Sequence, residues 1–473
     1  MQVDNAGQTL KADLAIIGGT VVTMDSARRI IENGTVLVSG DVLTYVGENL
    51  PGDRFEAAKS YSAKGCLVLP GLIDGHNHPG QFLSKGLADD VDILEWLYGR
   101  VYPFEANMTA DDAYIGGLGN FTEMVRHGTT CFVDPGGYYV DRIVQAAVKV
   151  GIRGIVSRST RDLPSAKYPL PKHLDETRDE VLARGEDLVK RFHRTYQDTI
   201  RAWFSLRVPY NISDELGRAI GELARKYGVG VHSHVAAQPG ENERVEAVWG
   251  KRVIARYEAL GLMAPNLYLV HMGWVNDQEI EVLAAHDVKV CHCPSASMQG
   301  AYGNVGRGTF PKMLAAGVIV SLGTDSATVG RFLDMVRVMY LAACAHREIT
   351  LDPTTIGAFK ALEMATVDGA RAAMWDEIGS LVPGKRADLI IVDTSGPEWH
   401  PLASAVRSLI YSADGSSVRT VVINGRVVMQ DRRFLTVDEG EVLLEVDRAA
   451  SRVAQRAGIH VTGEWPKTQR VTN

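Results

Sequence analysis

A chain of 473 residues is longer than one ordinary domain and suits one large barrel with a smaller companion unit. Hydrophobic residues at 45% and charged residues at 23% describe a globular protein and exclude a disordered or fibrous one. Fifty basic against 57 acidic side chains leave a net charge of −7 with no Lys/Arg block able to follow a phosphate backbone, so nucleic acid is not an expected partner.

In chain order, MQVDNAGQTLKADLAIIGGT has acids and a Gly pair where a signal peptide needs a basic start and an unbroken apolar run. No apolar stretch reaches the roughly 20 residues that span a bilayer, so a cytoplasmic protein without a membrane partner is expected. The five cysteines (Cys66, Cys131, Cys291, Cys293, Cys344) are odd in number and sparse, which predicts reduced thiols. Residues 12–63 are β-branched and alternating, with Gly and Asp at turns, and predict a small antiparallel sheet. The same style returns in IGSLVPGKRADLIIVD and VRTVVINGRVVMQDRRF, where Asn424-Gly425 is a strong hairpin signal. Residues 1–66 and 377–440 are therefore read as one composite β-sandwich domain built from both termini, with 441–473 as a helical or extended tail. Between them, residues 67–376 alternate strand-like and helical runs. CLVLPGLIDGH, GTTCFVD, GIRGIVS, IRAWFSLRV, GVGVHSHVA, LYLVHMG, VKVCHCP and VIVSLGTD give eight strand candidates. SDELGRAIGELARKYG, with Ser213 to start it and Gly228 to stop it, is typical of the helices between. The fold class is α/β, a (β/α)₈ TIM barrel.

Active sites of such barrels lie at the C-terminal strand ends. The first candidate ends in Asp74-Gly75-His76-Asn77-His78, where residues two apart share a face and Asn77 points away. The fifth ends in His232-Ser233-His234, the sixth in His271 and the eighth in Asp325. Three imidazoles and a carboxylate with a place left for water suit a catalytic divalent ion. A lone HxH has little force; four strand ends carrying such donors have much more.

PGLIDGHNHP, the strand-five HSH, the strand-six HMG, the strand-eight GTDS and the late GSLVPGKRADLIIVD resemble the landmarks of the amidohydrolase superfamily, in order, across nearly the whole chain. KGLADDVDILEWLYGRVYPFEANMT and EMVRHGTTCFVD resemble its branch of triazine hydrolases and cytosine- and adenosine-type deaminases. The resemblance implies His76, His78, His234 and Asp325 as ligands of one divalent ion (Zn²⁺, Fe²⁺ or Co²⁺). It implies Asp325 and His271 as the catalytic pair, Asp325 taking the proton of the attacking water and His271 orienting it. Binuclear members place a lysine on strand four; TIRAWFSLRVPYNI has none, so one ion is expected. Loop positions that face substrate in the family hold Gln81, Trp96, Tyr102 and the run Ser295 to Gly303, with Trp96 and Met298 as an apolar wall. Homo-oligomers are common among such relatives, and the partner expected here is a small-molecule substrate.

One departure bears on substrate class. Deaminases of this branch follow the strand-five ligand with HxxE, whose glutamate protonates a ring nitrogen; His234-Val235-Ala236-Ala237 puts Ala237 there. Hydrolysis of a urea, carbamate, thiocarbamate or amide is therefore the first expectation, as in phenylurea and thiocarbamate hydrolases. A heterocyclic aminohydrolase, its shuttle supplied by His271 or Glu105, is the alternative. Glu241 and Glu243 are read as exposed acids opening a helix, Cys291 and Cys293 as core, His232 as packing deep in the barrel, and His292 as lining the pocket.

Overall fold

The computed structural model describes residues 9–91, 95–163 and 176–460; His173 and the tail beyond residue 460 lie outside them. All eight strand candidates contribute to one parallel sheet in chain order: Leu72–Asp74, Thr129–Val133, Arg153–Thr160, Ile200–Leu206, Val231–Val235, Leu267–His271, Lys289–His292 and Val320–Leu322. Helices cover its outer face, so strand residues are buried on both sides, as in Ile200–Leu206 where all seven are. First and last strands meet just beyond their ends, where the Gly75 N–H donates to the Leu322 carbonyl and the Asp325 N–H to the His76 carbonyl, each at 2.8 Å. The expected barrel is the observed one.

Local chemistry accounts for the covering helices. In Asp214–Tyr227 the Ser213 hydroxyl accepts from the Leu216 N–H at 3.0 Å, and Gly228 ends the helix at φ +64°. Among the described residues no helix is long and apolar enough to cross a membrane.

The second sheet has nine strands and draws on both termini, as the sequence style implied. Leu389–Asp393 pairs antiparallel with Cys66–Pro70, and Asn424-Gly425 turns Val418–Ile423 into Arg426–Gln430. Two readings are corrected. The first strand candidate breaks at Gly71: Cys66–Pro70 joins this sheet, and Leu72–Asp74 alone enters the barrel. Proline cannot donate to a ladder, and a Cβ on Gly71 would overlap the Thr130 side chain at 2.0 Å, so the backbone changes partners there. The N-terminal sheet is mixed, because Leu10–Val22 runs antiparallel to Ile30–Ser39 and parallel to Phe55–Ser62 and Cys66–Pro70. Alternation fixes the face a strand buries and leaves its neighbour open.

Buried polar contacts tie sheet to barrel. Arg153, which begins the third barrel strand, donates from Nε to Asp388 Oδ2 at 2.6 Å and from Nη2 to Asn424 Oδ1 at 2.9 Å. On another flank, the helix Glu439–Ala457 lays Ala449 and Val453 against Leu83, Phe104 and Met108.

Candidate active site

The ends of barrel strands one, five, six and eight converge. The ring nitrogens of His76, His78 and His234 lie within 4.8 Å of one another, and so do donor atoms of His76, His271 and Asp325. His78 Nε2 is 3.3 Å from His234 Nε2, and Asp325 Oδ1 is 3.6 Å from both His76 Nε2 and His78 Nε2. Asp325 Oδ2 is 4.0 Å from His271 Nε2.

Second partners aim these rings. Burial, helped by the neighbouring imidazoles, holds His78 and His234 well below the usual histidine range and His271 near about 4, so they are neutral and keep a free lone pair. His234 Nδ1 lies 2.9 Å from the Arg207 carbonyl oxygen, an acceptor only, so Nδ1 carries the hydrogen and Nε2 presents its lone pair to the cluster. His76 Nδ1 faces His232 Nε2 at 3.2 Å, while its own Nε2 is buried without a hydrogen-bond partner. A buried, unpartnered nitrogen costs free energy unless something fills the place. Converging Nε2 atoms beside a carboxylate fit a divalent cation, which His76, His78, His234 and Asp325 would hold. Burial acts to raise the Asp325 carboxyl, but the His76 contact and the surrounding imidazoles outweigh it and hold the group below the ordinary carboxylate range.

The backbone is arranged for this. Asp74 accepts the Thr324 N–H at 3.0 Å, the Thr324 hydroxyl and the His76 N–H, and Asn77 donates to the Asp325 carbonyl at 2.9 Å. These contacts sew the first ligand loop to the last. His271 at φ +79° and Asp325 at φ +60° hold left-handed conformations that non-glycine residues adopt at a cost of about 1–3 kcal/mol.

Beside His78 opens a cavity lined by Gln81, Glu105, Asp134, Tyr138 and Tyr139 among others. Gln81 is buried and donates to Glu105 Oε1 at 2.9 Å. Tyr102 is hydrogen-bonded to the half-buried Arg207. Trp96 packs half-buried on the barrel core. Of the expected substrate contacts only Gln81 lines this cavity; Trp96, Tyr102, His292 and Met298 do not. His292 is fully buried, its Nε2 3.0 Å from His346 Nε2 and its ring 3.7 Å from that of Phe310, and Met298 is 53% exposed at the end of the short helix Pro294–Gln299. Instead Tyr302, from the same run, sets its ring edge-on to His271.

Cys291 and Cys293 are buried as core. Glu241 corrects the sequence reading: it is only 2% exposed and accepts the Ala236 and Ala237 N–H groups at 2.8 and 3.1 Å. Reading strand ends for histidine alone passes over Asp134, which directly follows the second strand Thr129–Val133.

Residues 67–428 match the model of the Amidohydrolase family. Over 447 residues the chain is 34% identical to a 5'-deoxyadenosine deaminase of Methanosarcina mazei, covering 94% of this chain and 99% of that one. Over 440 residues it is 36% identical to a 5-methylthioadenosine/S-adenosylhomocysteine deaminase of Syntrophobacter fumaroxidans, covering 92% and 97%. A zinc-bound adenosine deaminase of Xanthomonas campestris superposes with a TM-score of 0.88 at 28% identity, over 94% of this chain and all of the other. The zinc-complexed atrazine chlorohydrolase of Arthrobacter aurescens, at 23% identity and a TM-score of 0.86 over 92% of this chain and 100% of that one, shares the fold.

Proposed function

Because this chain belongs to the amidohydrolase family, we propose that it is a metal-dependent heterocyclic aminohydrolase that removes the ring amino group of an adenosine derivative altered at its 5' carbon. It is a hydrolase of carbon–nitrogen bonds other than peptide bonds. The observation that carries the finer reading is end-to-end likeness, at 34% and 36% identity, to relatives named as deaminases of such nucleosides. The fit of the ligand set supports it. This places the alternative above ureas and carbamates, which were the first expectation from Ala237.

A bound divalent ion would lower the pKa of its water from ~16 toward ~7. Zinc is our choice of metal, supported by the Xanthomonas neighbour. Asp325, ionised and 3.6 Å from two imidazoles, would take the proton of the attacking water. His271, neutral and within 4.0 Å of Asp325, is placed to orient that water or relay its proton. A cytoplasmic setting belongs to the same proposal, supported by five free cysteines.

Ala237 favours a second reading, hydrolysis of an acyclic urea, carbamate or amide, since such substrates need no ring protonation. The test is a product-resolved assay of zinc-loaded protein on 5'-deoxyadenosine, methylthioadenosine, S-adenosylhomocysteine and phenylureas. Ammonia with the oxo nucleoside is expected; carbon dioxide and an amine from the ureas, with no reaction on the nucleosides, overturns the proposal.

A further inference from the structure

Hydrolytic deamination of a ring requires an acid as well as a nucleophile, because addition at the amino-bearing carbon pushes an electron pair onto the adjacent ring nitrogen. The strand-five position that would hold that acid is Ala237. Three carboxyl groups lie within reach of the vacancy or the cavity. Glu241 has both oxygens committed to the Ala236 and Ala237 N–H groups. Glu105 is half-buried, engaged by Gln81, and sits on the five-residue helix Tyr102–Ala106.

Asp134 differs from both. It directly follows the second barrel strand, its own N–H donating to the Ile155 carbonyl at 2.8 Å, and is 2% exposed. Oδ1 accepts the Gly136 N–H at 2.8 Å; Oδ2 has no hydrogen-bond partner and the carboxyl no ion pair among the described residues. Its side chain lines the cavity that His78 also lines. The turn that holds it requires a glycine: Gly136 sits at φ +106°, and a Cβ there would lie 2.2 Å from the Ser159 nitrogen.

We propose that Asp134 is a catalytic residue, the general acid that protonates the ring nitrogen of the substrate in place of the missing strand-five glutamate. The assignment rests on the aminohydrolase reading above. Water adds across the ring C=N bond: its oxygen bonds to the amino-bearing carbon, the π pair moves to the ring nitrogen, and Asp134 gives that nitrogen its proton. Asp325 takes one proton from the water and passes it to the amino group. The C–N bond then breaks, ammonia leaves with the bonding pair, the C=O bond forms, and the released hydroxyl proton restores Asp134. Burial pushes the Asp134 carboxyl up to about 7; the Gly136 N–H and the Arg207 guanidinium pull it down, and Glu105 pushes it up. His78, Tyr138 and Tyr139 are the other titratable groups facing the same cavity.

Asp134→Asn keeps the acceptor for Gly136 and removes the proton. In the metal-loaded enzyme it is expected to lower kcat/KM on the aminated nucleoside by about 100-fold or more, and to abolish the alkaline limb of the pH profile. Ala237→Glu added to Asp134→Asn should restore turnover. A metal-replete Asp134→Asn within about threefold of wild type, with the same pH profile, overturns the assignment and leaves the aminohydrolase reading standing. Should the variant fail to fold, the wild-type profile decides: kcat/KM must fall as pH rises through about 7, and a flat profile from about pH 6 to 9 refutes it. Wild-type protein inactive on every aminated heterocycle refutes both readings together.

Discussion

His76 shows how a candidate metal ligand is oriented by its neighbours. Its Nδ1 rests 3.2 Å from His232, a ring with no exposure, and this contact turns Nε2 toward the cluster. Removing such a supporting partner costs about 10–100-fold in metal affinity or activity. His232→Ala is therefore expected to weaken divalent-ion binding by about that factor, read by chelator competition, while circular dichroism stays that of the folded barrel. Unchanged affinity would mean that His76 needs no such support. The meeting of His76, His78, His234, His271 and Asp325 was legible because each residue ends a strand-like run, and period two puts both members of HxH on one face. Asp134 and Arg207 were not legible as site residues. A single acid or arginine at a strand end has many ordinary explanations, and only the cavity and the lack of an ion pair single out Asp134.

At the level of elements, the turn from strand five into the helix Glu241–Trp249 carries the largest correction. An acid at a helix start normally meets solvent, yet here the chain doubles back and buries Glu241 against Ala236 and Ala237. Glu241→Ala leaves two N–H donors without that acceptor and should cost about 1–3 kcal/mol, read as a lowered Tm. Burial, acting against those two bonds, pushes the Glu241 carboxyl up from 4.5 to about 7. The folded chain thus holds a proton that the unfolded chain releases, so this stabilising contribution is whole below about pH 4.5 and lost as pH rises through about 7. The Tm of wild type relative to Glu241→Gln should fall over that interval; a difference independent of pH would refute the buried setting. Met298 fell outside the cavity for a related reason. The chain enters the helix Pro294–Gln299 directly after strand seven, and sequence does not reveal which way so short a helix turns its residues.

Across the whole molecule, the shared β style of the two termini was readable, while their pairing was not, since Leu389–Asp393 and Cys66–Pro70 are separated by the entire barrel. The joint between the two bodies is the buried Arg153–Asp388 pair, at 0% and 2% side-chain exposure. Removing one partner of such a pair leaves a charge uncompensated and costs about 3–5 kcal/mol. Asp388→Ala should lower stability by that amount in urea, with the metal affinity of the surviving folded protein unchanged. The seam of the barrel has a consequence in time. Asp74 and Thr324 lie 250 positions apart, and the ligands His76 and Asp325 flank that same closure. A ribosome that has made His76 and His78 must still make nearly the whole barrel before the carboxylate exists, and contacts of such long separation form late. The full donor set therefore exists only in chains extended past Asp325, and a product stalled before that point has imidazoles without the carboxylate.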